Sequence, residues 1–129
     1  SNFLPTHLDD LAAATDVVPV VNQIELHPAF QQRELRAFQE ARGIRTESWS
    51  PLGSAQYDLA ELPGFAAIAE RHGKTVQQIA IRWHLQEGLI VFPKTVRRER
   101  MIENADVFDF ELSADEMATI AACDRDQRV

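Results

Sequence analysis

The chain is poor in the residues that build disulfides, metal centres and basic surfaces. Its single cysteine, Cys123, cannot form an internal bridge, which excludes a disulfide scaffold and leaves the thiol as core filler in a reducing compartment. Only two lysines, Lys74 and Lys94, and one tyrosine, Tyr57, occur among 129 residues. Asp and Glu outnumber Lys and Arg by 20 to 13, giving a formal net charge of −7, which argues against broad binding of nucleic acid or anionic membrane. No run approaches the roughly 18 apolar residues of a membrane span, and SNFLPTHLDD lacks the basic and apolar blocks of a signal peptide. A cytoplasmic location is therefore the default expectation. The histidines His7, His27, His72 and His84 show no paired spacing suited to a metal, so none is expected.

What is present fits one ordinary core, at 45% hydrophobic and 26% charged. Helix and strand signals alternate along the chain. Leu8, Leu11 and Ala12 fall at helical spacing in PTHLDDLAAATD, and VVPVVNQIEL follows as a strand with Val20, Val21 and Ile24 buried. QQRELRAFQEARG reads as a helix with Leu35, Phe38 and Ala41 on one face and Gly43 at its end, and GIRTESWSPLG as a strand ending in a Pro-Gly loop. Helices are expected over FAAIAERHG and TVQQIAIRWHLQEG, the second opened by a Thr75/Gln78 capping box. LIVFPKT reads as a strand broken by Pro93, and Ser113 with Glu116 announces a last helix. This order predicts parallel strands with crossover helices, buried on both faces. Three strands alone leave unpaired edges, and a complete (β/α)8 barrel takes about 250 residues, roughly twice this length.

FPKTVRRERMIEN, Phe92 to Asn104, gathers Lys94, Arg97, Arg98 and Arg100 in an otherwise acidic chain. Cations at a strand end and on the first turn of a short helix suit a phosphate dianion, because free backbone N–H groups and the helix dipole add to the side-chain charge. The same run also reads as an exposed helix start, or as a nuclear-localisation or nucleic-acid patch, which the acidic remainder of the chain disfavours. Trp49, at the end of a strand, is either a platform for a planar heterocycle or plain core. Asn2 and Gln23 can each donate and accept hydrogen bonds, although Gln23 also reads as a satisfied polar residue on a strand end. Ser50, Leu52 and Gly53 are compatible with an ordinary turn.

VVNQIELHP, ESWSPLG, FPKTVRRERMIEN and DFELSADEM, in this order, resemble the C-terminal half of the aldo-keto reductases, most closely the bacterial 2,5-diketo-D-gluconate reductase branch. The resemblance covers essentially the whole chain, and SNF looks like a strand-five ending of that family. It implies an α/β fold, the second half of a TIM-type (β/α)8 barrel, with residues 1–129 as one partial barrel and no separate domains. It also implies NADPH as cofactor and reduction of a small carbonyl compound, such as 2,5-diketo-gluconate or a similar dicarbonyl, to an alcohol. On this resemblance Ser1, Asn2 and Gln23 hold the nicotinamide carboxamide, Trp49 stacks on the ring, and Ser50, Leu52 and Gly53 cover the pyrophosphate. Lys94, Thr95, Val96, Arg97 and Arg100 surround the 2′-phosphate, with Glu103 and Asn104 near the adenine. Thr95 stands where the family more often has serine, which keeps the hydroxyl.

The family's Asp, Tyr, Lys and His tetrad belongs to the first half of the barrel. Neither Tyr57 nor the two lysines lies in a matching motif, so no catalytic residue is assigned here. The expected partner is the missing N-terminal half or a second copy of the chain, and the ending DRDQRV is shorter than the substrate-lining tail of relatives. The competing reading is a non-catalytic nucleotide-binding or self-assembling half-barrel module.

Overall fold

A computed structural model describes all 129 residues. The elements run α1 (Pro5–Ala14), β1 (Val21–Glu25), α2 (Arg33–Glu40), β2 (Arg45–Trp49), α3 (Phe65–His72), α4 (Val76–Gln86), β3 (Ile90–Val91), α5 (Arg98–Ala105) and α6 (Ala114–Ala121). Two short 3-10 turns, Gly53–Ala55 and Leu59–Glu61, shape the loop after β2. The strands form one sheet in the order β1-β2-β3, parallel throughout, with Gln23 opposite Glu47 and Glu47 opposite Ile90. No helix is long and apolar enough to cross a membrane.

The capping boxes form as the sequence predicts. Thr75 Oγ1 accepts from Gln78 N–H at 3.2 Å while Gln78 Oε1 accepts from Thr75 N–H at 3.0 Å, and Ser113 and Glu116 exchange the equivalent bonds. Each box satisfies two backbone donors that a helix start otherwise leaves free. Gly43 lies beyond the end of α2 at φ +71°, a left-handed turn open to glycine.

One face of the sheet is buried and the other is not, which corrects the expectation of strands buried on both faces. Asn22, Ile24, Thr46 and Ser48 point under the helices and are buried, whereas Val21, Gln23, Arg45, Glu47 and Trp49 on the opposite face are half-buried or exposed. The helices α2 to α4 pack on one side only, around a 16-residue cluster that includes Ile24, Leu26, Phe65, Ile79, Trp83 and Ile120. Val20 is also misplaced by the sequence pattern: it precedes the ladder and is 76% exposed, with no element covering it. On α2, Leu35 is buried, but Ala41 is exposed and Gln39 takes the inward position. Gln39 is fully buried because its amide bridges Asn22 at 2.6 Å and Thr46 at 2.7 Å, so the polar group is satisfied. Leu11 and Ala12 likewise stay half-buried and exposed, leaving Leu8 as the buried anchor of α1.

Two buried groups make the fold acid-sensitive. Burial pushes His84 down to about 4, against the hydrogen bonds to Ala80 O and Leu26 O that favour its charged form. Burial would raise Glu116, but hydrogen bonds from His72, the Ser113 backbone and Arg71 outweigh it and hold the carboxyl at about 2. Both folded values lie below the unfolded ones of 6.5 and 4.5, so the unfolded chain binds more protons and stability falls as pH falls. Urea midpoints are expected to decline between about pH 6.5 and 4 through His84 and between about 4.5 and 2 through Glu116. Glu116→Gln should flatten the lower window while leaving the upper one; an unchanged acid profile in that variant would contradict the assignment.

Candidate functional site

The C-terminal ends of the three strands and the loops that follow them carry two groups of polar residues. The first lies on the open face of the sheet. Asn2 N–H donates to Gln23 O at 2.7 Å, which sets the two residues side by side. Trp49, the last residue of β2, donates its indole N–H to Asn2 Oδ1 at 2.8 Å, and Gln23 donates its amide to the Glu47 carboxylate. Beneath them, Asn22 exchanges hydrogen bonds with the Phe3 backbone at 3.2 and 2.9 Å, so the segment before α1 is tied to β1 through a buried asparagine. Ser1 is exposed.

The second group lines a groove of about 800 Å³ between the loop after β2 and the start of α5. Leu52, Lys94, Thr95, Arg100, Glu103 and Asn104 all face it. Ser50 and Gly53 belong to the same loop, where the Ser50 hydroxyl pairs with Ser54 and Gly53 N–H donates to Ser50 O at 2.9 Å. Val96 and Arg97 sit beside the groove, exposed to solvent. Thr95 Oγ1 accepts from Arg97 N–H at 3.1 Å, which leaves the threonine O–H free to donate. Glu103 is anchored by Thr75 Oγ1 at 2.7 Å.

Charge is unevenly satisfied around this groove. Of the 13 Lys and Arg residues, seven are ion-paired, and four of the six that are not are Lys94, Arg97, Arg98 and Arg100. No side chain caps α5, so its first-turn N–H groups have no side-chain acceptor within the chain. Lys94 and Arg100 face the groove, which Asp58, Glu61 and Glu103 also line, while Arg97 and Arg98 lie exposed beside it. Four cations without an ion pair within seven residues suit a phosphate group at that end.

Sequence reading missed a buried chain at the end of β1. Tyr57 O–H donates to His27 Nδ1 at 2.9 Å, leaving Nε2 toward Glu25 Oε1 at 3.4 Å, and Glu25 also accepts from Val129 N–H at 2.6 Å. Glu25 lies on the open face yet is buried, because the tail crosses it there and Arg128 sits 3.5 Å away. Burial lowers His27 and raises Tyr57 to about 12, so this phenol is a poor proton donor and its role is to brace the loop. No periodic signal marks the cluster, since Tyr57 lies 30 residues from His27 and Val129 lies 104 from Glu25.

Gly53 is the tightest point of that brace. A Cβ on Gly53 would lie 2.4 Å from Tyr57 Cε1, and its φ of +73° disfavours any side chain. Gly53→Ala is therefore expected to cost about 1–3 kcal/mol in urea unfolding, from overpacking and backbone strain together. An unchanged midpoint would mean that the loop yields without cost.

The model of the aldo/keto reductase family matches residues 1–125, nearly the full chain. The chain belongs to the aldo/keto reductase family. It is 45% identical over 129 residues to the glyoxal reductase of Bacillus subtilis, covering all of this chain and 46% of that protein. It is 47% identical over 128 residues to a methylglyoxal reductase of Escherichia coli, covering 99% of this chain and 46% of that one. The chain thus spans about half the length of the curated relatives it matches. Among solved structures, a mutant of Gox0644 in complex with NADPH superposes with a TM-score of 0.91 at 55% identity, over 96% of this chain and 45% of that one. An aldo-keto reductase from a deep-sea metagenome library superposes at 0.95 with 36% identity, over 99% and 47%. The parallel sheet with helices on one face is accordingly half of a TIM-type aldo/keto reductase barrel, and its exposed sheet face is the inner wall of that barrel.

Proposed function

We propose that residues 1–129 act as one unit, the cofactor side of an NADPH-dependent aldo/keto reductase that reduces a small carbonyl compound to an alcohol. The observation that carries this reading is the groove in which Lys94, Thr95 and Arg100 meet Leu52 from the facing loop, beside an uncapped helix N-terminus. In this reading Lys94, Thr95, Val96, Arg97 and Arg100 surround the 2′-phosphate, with Glu103 and Asn104 beside the adenine. Ser50, Leu52 and Gly53 cover the pyrophosphate, Trp49 stacks on the nicotinamide, and Ser1, Asn2 and Gln23 hold its carboxamide. The donor set fits: two or more cations and a hydroxyl with a free proton suit a dianion, and an aromatic face beside two side-chain amides suits an amide-bearing heterocycle.

When bound, NADPH supplies the hydride. The residues of this chain bind and orient it, and the proton for the carbonyl oxygen comes from acid–base groups in the first half of the barrel, since Tyr57 is braced against His27 with its proton held by burial. The names of the glyoxal and methylglyoxal reductases favour an α-dicarbonyl of few carbons over 2,5-diketo-gluconate as substrate. The test is methylglyoxal-dependent oxidation of NADPH by a protein carrying both barrel halves, followed at the nicotinamide absorbance band. Turnover that requires both components supports the reading. A protein carrying both barrel halves that binds NADPH without oxidising it in the presence of any dicarbonyl would point instead to a nucleotide-binding module.

A further inference from the structure

A side-chain amide is a donor at one end and an acceptor at the other, so its orientation decides what it recognises. On the open face of the sheet two amides are turned by partners whose chemistry permits one orientation only. The Trp49 indole N–H is a pure donor, and the atom it meets on Asn2 at 2.8 Å must be the amide oxygen. An ionised carboxylate is a pure acceptor, and the group of Gln23 that meets Glu47 must be the NH2. Asn2 is therefore left presenting an NH2 and Gln23 a carbonyl oxygen, neither of which has a partner within the chain. The Asn2 N–H to Gln23 O bond of 2.7 Å keeps the pair adjacent. One free donor beside one free acceptor is the complement of a primary carboxamide, which offers one acceptor and one donor side by side.

We infer that Glu47 and Trp49 are positioning residues that fix the amide polarity of Gln23 and Asn2 so that the pair accepts a primary carboxamide in one orientation. The inference rests on the NADPH reading and adds to it two residues that act through others, Glu47 through Gln23 and the indole N–H of Trp49 through Asn2. Sequence gave no sign of Glu47, which reads as an ordinary polar residue in TESW. Its place opposite Gln23 in the parallel register is what brings the two side chains together.

The test compares NADPH with adenosine 2′,5′-bisphosphate, which keeps the phosphates and adenine and lacks the nicotinamide, by calorimetric titration of the isolated protein. Glu47→Ala and Trp49→Phe should each weaken NADPH about fivefold, the scale of one lost hydrogen bond, and leave the bisphosphate within twofold. Glu47→Gln, whose amide oxygen still accepts from Gln23, should recover NADPH binding to within about twofold of the parent. In an Asn2→Ala background, Trp49→Phe should cost no more than about twofold further, the difference in stacking face, because the group its N–H acts through is gone. Equal weakening of both ligands by Glu47→Ala, or a full loss from Trp49→Phe in the Asn2→Ala background, would overturn the positioning role while leaving the NADPH reading intact. A parent protein that binds neither ligand would overturn the NADPH reading and this inference with it.

Discussion

Arg100→Glu is expected to weaken NADPH by about a hundredfold or more while changing NADH by no more than about threefold. Arg100 stands on the first turn of α5, faces the groove with Lys94 and Thr95, and makes no ion pair within the chain, so its charge is available to a ligand. Removing it deletes a charge-assisted hydrogen bond, and the glutamate then sets a negative charge against a phosphate dianion. The two losses act in the same direction, and each is worth about tenfold or more. NADH carries a hydroxyl where NADPH carries the 2′-phosphate, and so loses neither contact. Because the side chain is exposed, the thermal midpoint should stay close to that of the parent. Parallel titrations of both nucleotides decide the matter, and equal losses for the two would contradict a 2′-phosphate at this end of the groove.

The largest effect on stability is expected at Trp83. This side chain is fully buried in the α4 face of the core, against the cluster that joins Ile24, Leu26, Phe65 and Ile79. Trp83→Ala should cost about 3–5 kcal/mol, from lost burial and the cavity left behind. That is a large part of the 5–15 kcal/mol by which a domain is ordinarily stable. The indole also has an unusual feature: its Nε1 is buried without a hydrogen-bond partner. Trp83→Phe removes that orphan donor while keeping most of the ring, so it should cost only about 1–2 kcal/mol, well below what the lost volume alone suggests. Urea unfolding of the two variants distinguishes these effects. A phenylalanine variant as unstable as the alanine one would mean that the indole N–H is satisfied in solution.

The same two kinds of interaction explain what could be read from the amino-acid order and what could not. Local chemistry was legible: the Thr75/Gln78 and Ser113/Glu116 boxes join residues three apart and open helices where expected. Gly43 and the Pro51-Gly53 loop likewise announced where elements stop. Apolar periodicity was less dependable. It counted Val20 and Ala41 as buried because it weighs side chains and not what packs on them, and it passed over Gln39, whose burial depends on bonds to Asn22 and Thr46 in two different strands. Pro93 ends pairing early, so the third strand is reduced to Ile90–Val91. At the candidate site, the cations of α5 stood out as a local charge run in an acidic chain. The Trp49 to Asn2 bond spans 47 residues and the Tyr57 to His27 bond spans 30, and no spacing rule reaches either. Ordered motifs could name those positions through resemblance, but only the parallel register shows which partner turns each amide.

The central claim, that the Lys94 to Arg100 segment receives the 2′-phosphate of NADPH, is tested most directly by phosphorus NMR of NADPH titrated into the protein. The 2′-phosphate monoester has its second pKa near 6, and cations around it should favour the dianion. The account predicts that the 2′-phosphate resonance of the bound nucleotide is shifted and titrates at a lower pH than in free NADPH, and that Arg100→Glu abolishes this difference. A bound nucleotide whose 2′-phosphate titrates as it does in free solution would contradict it.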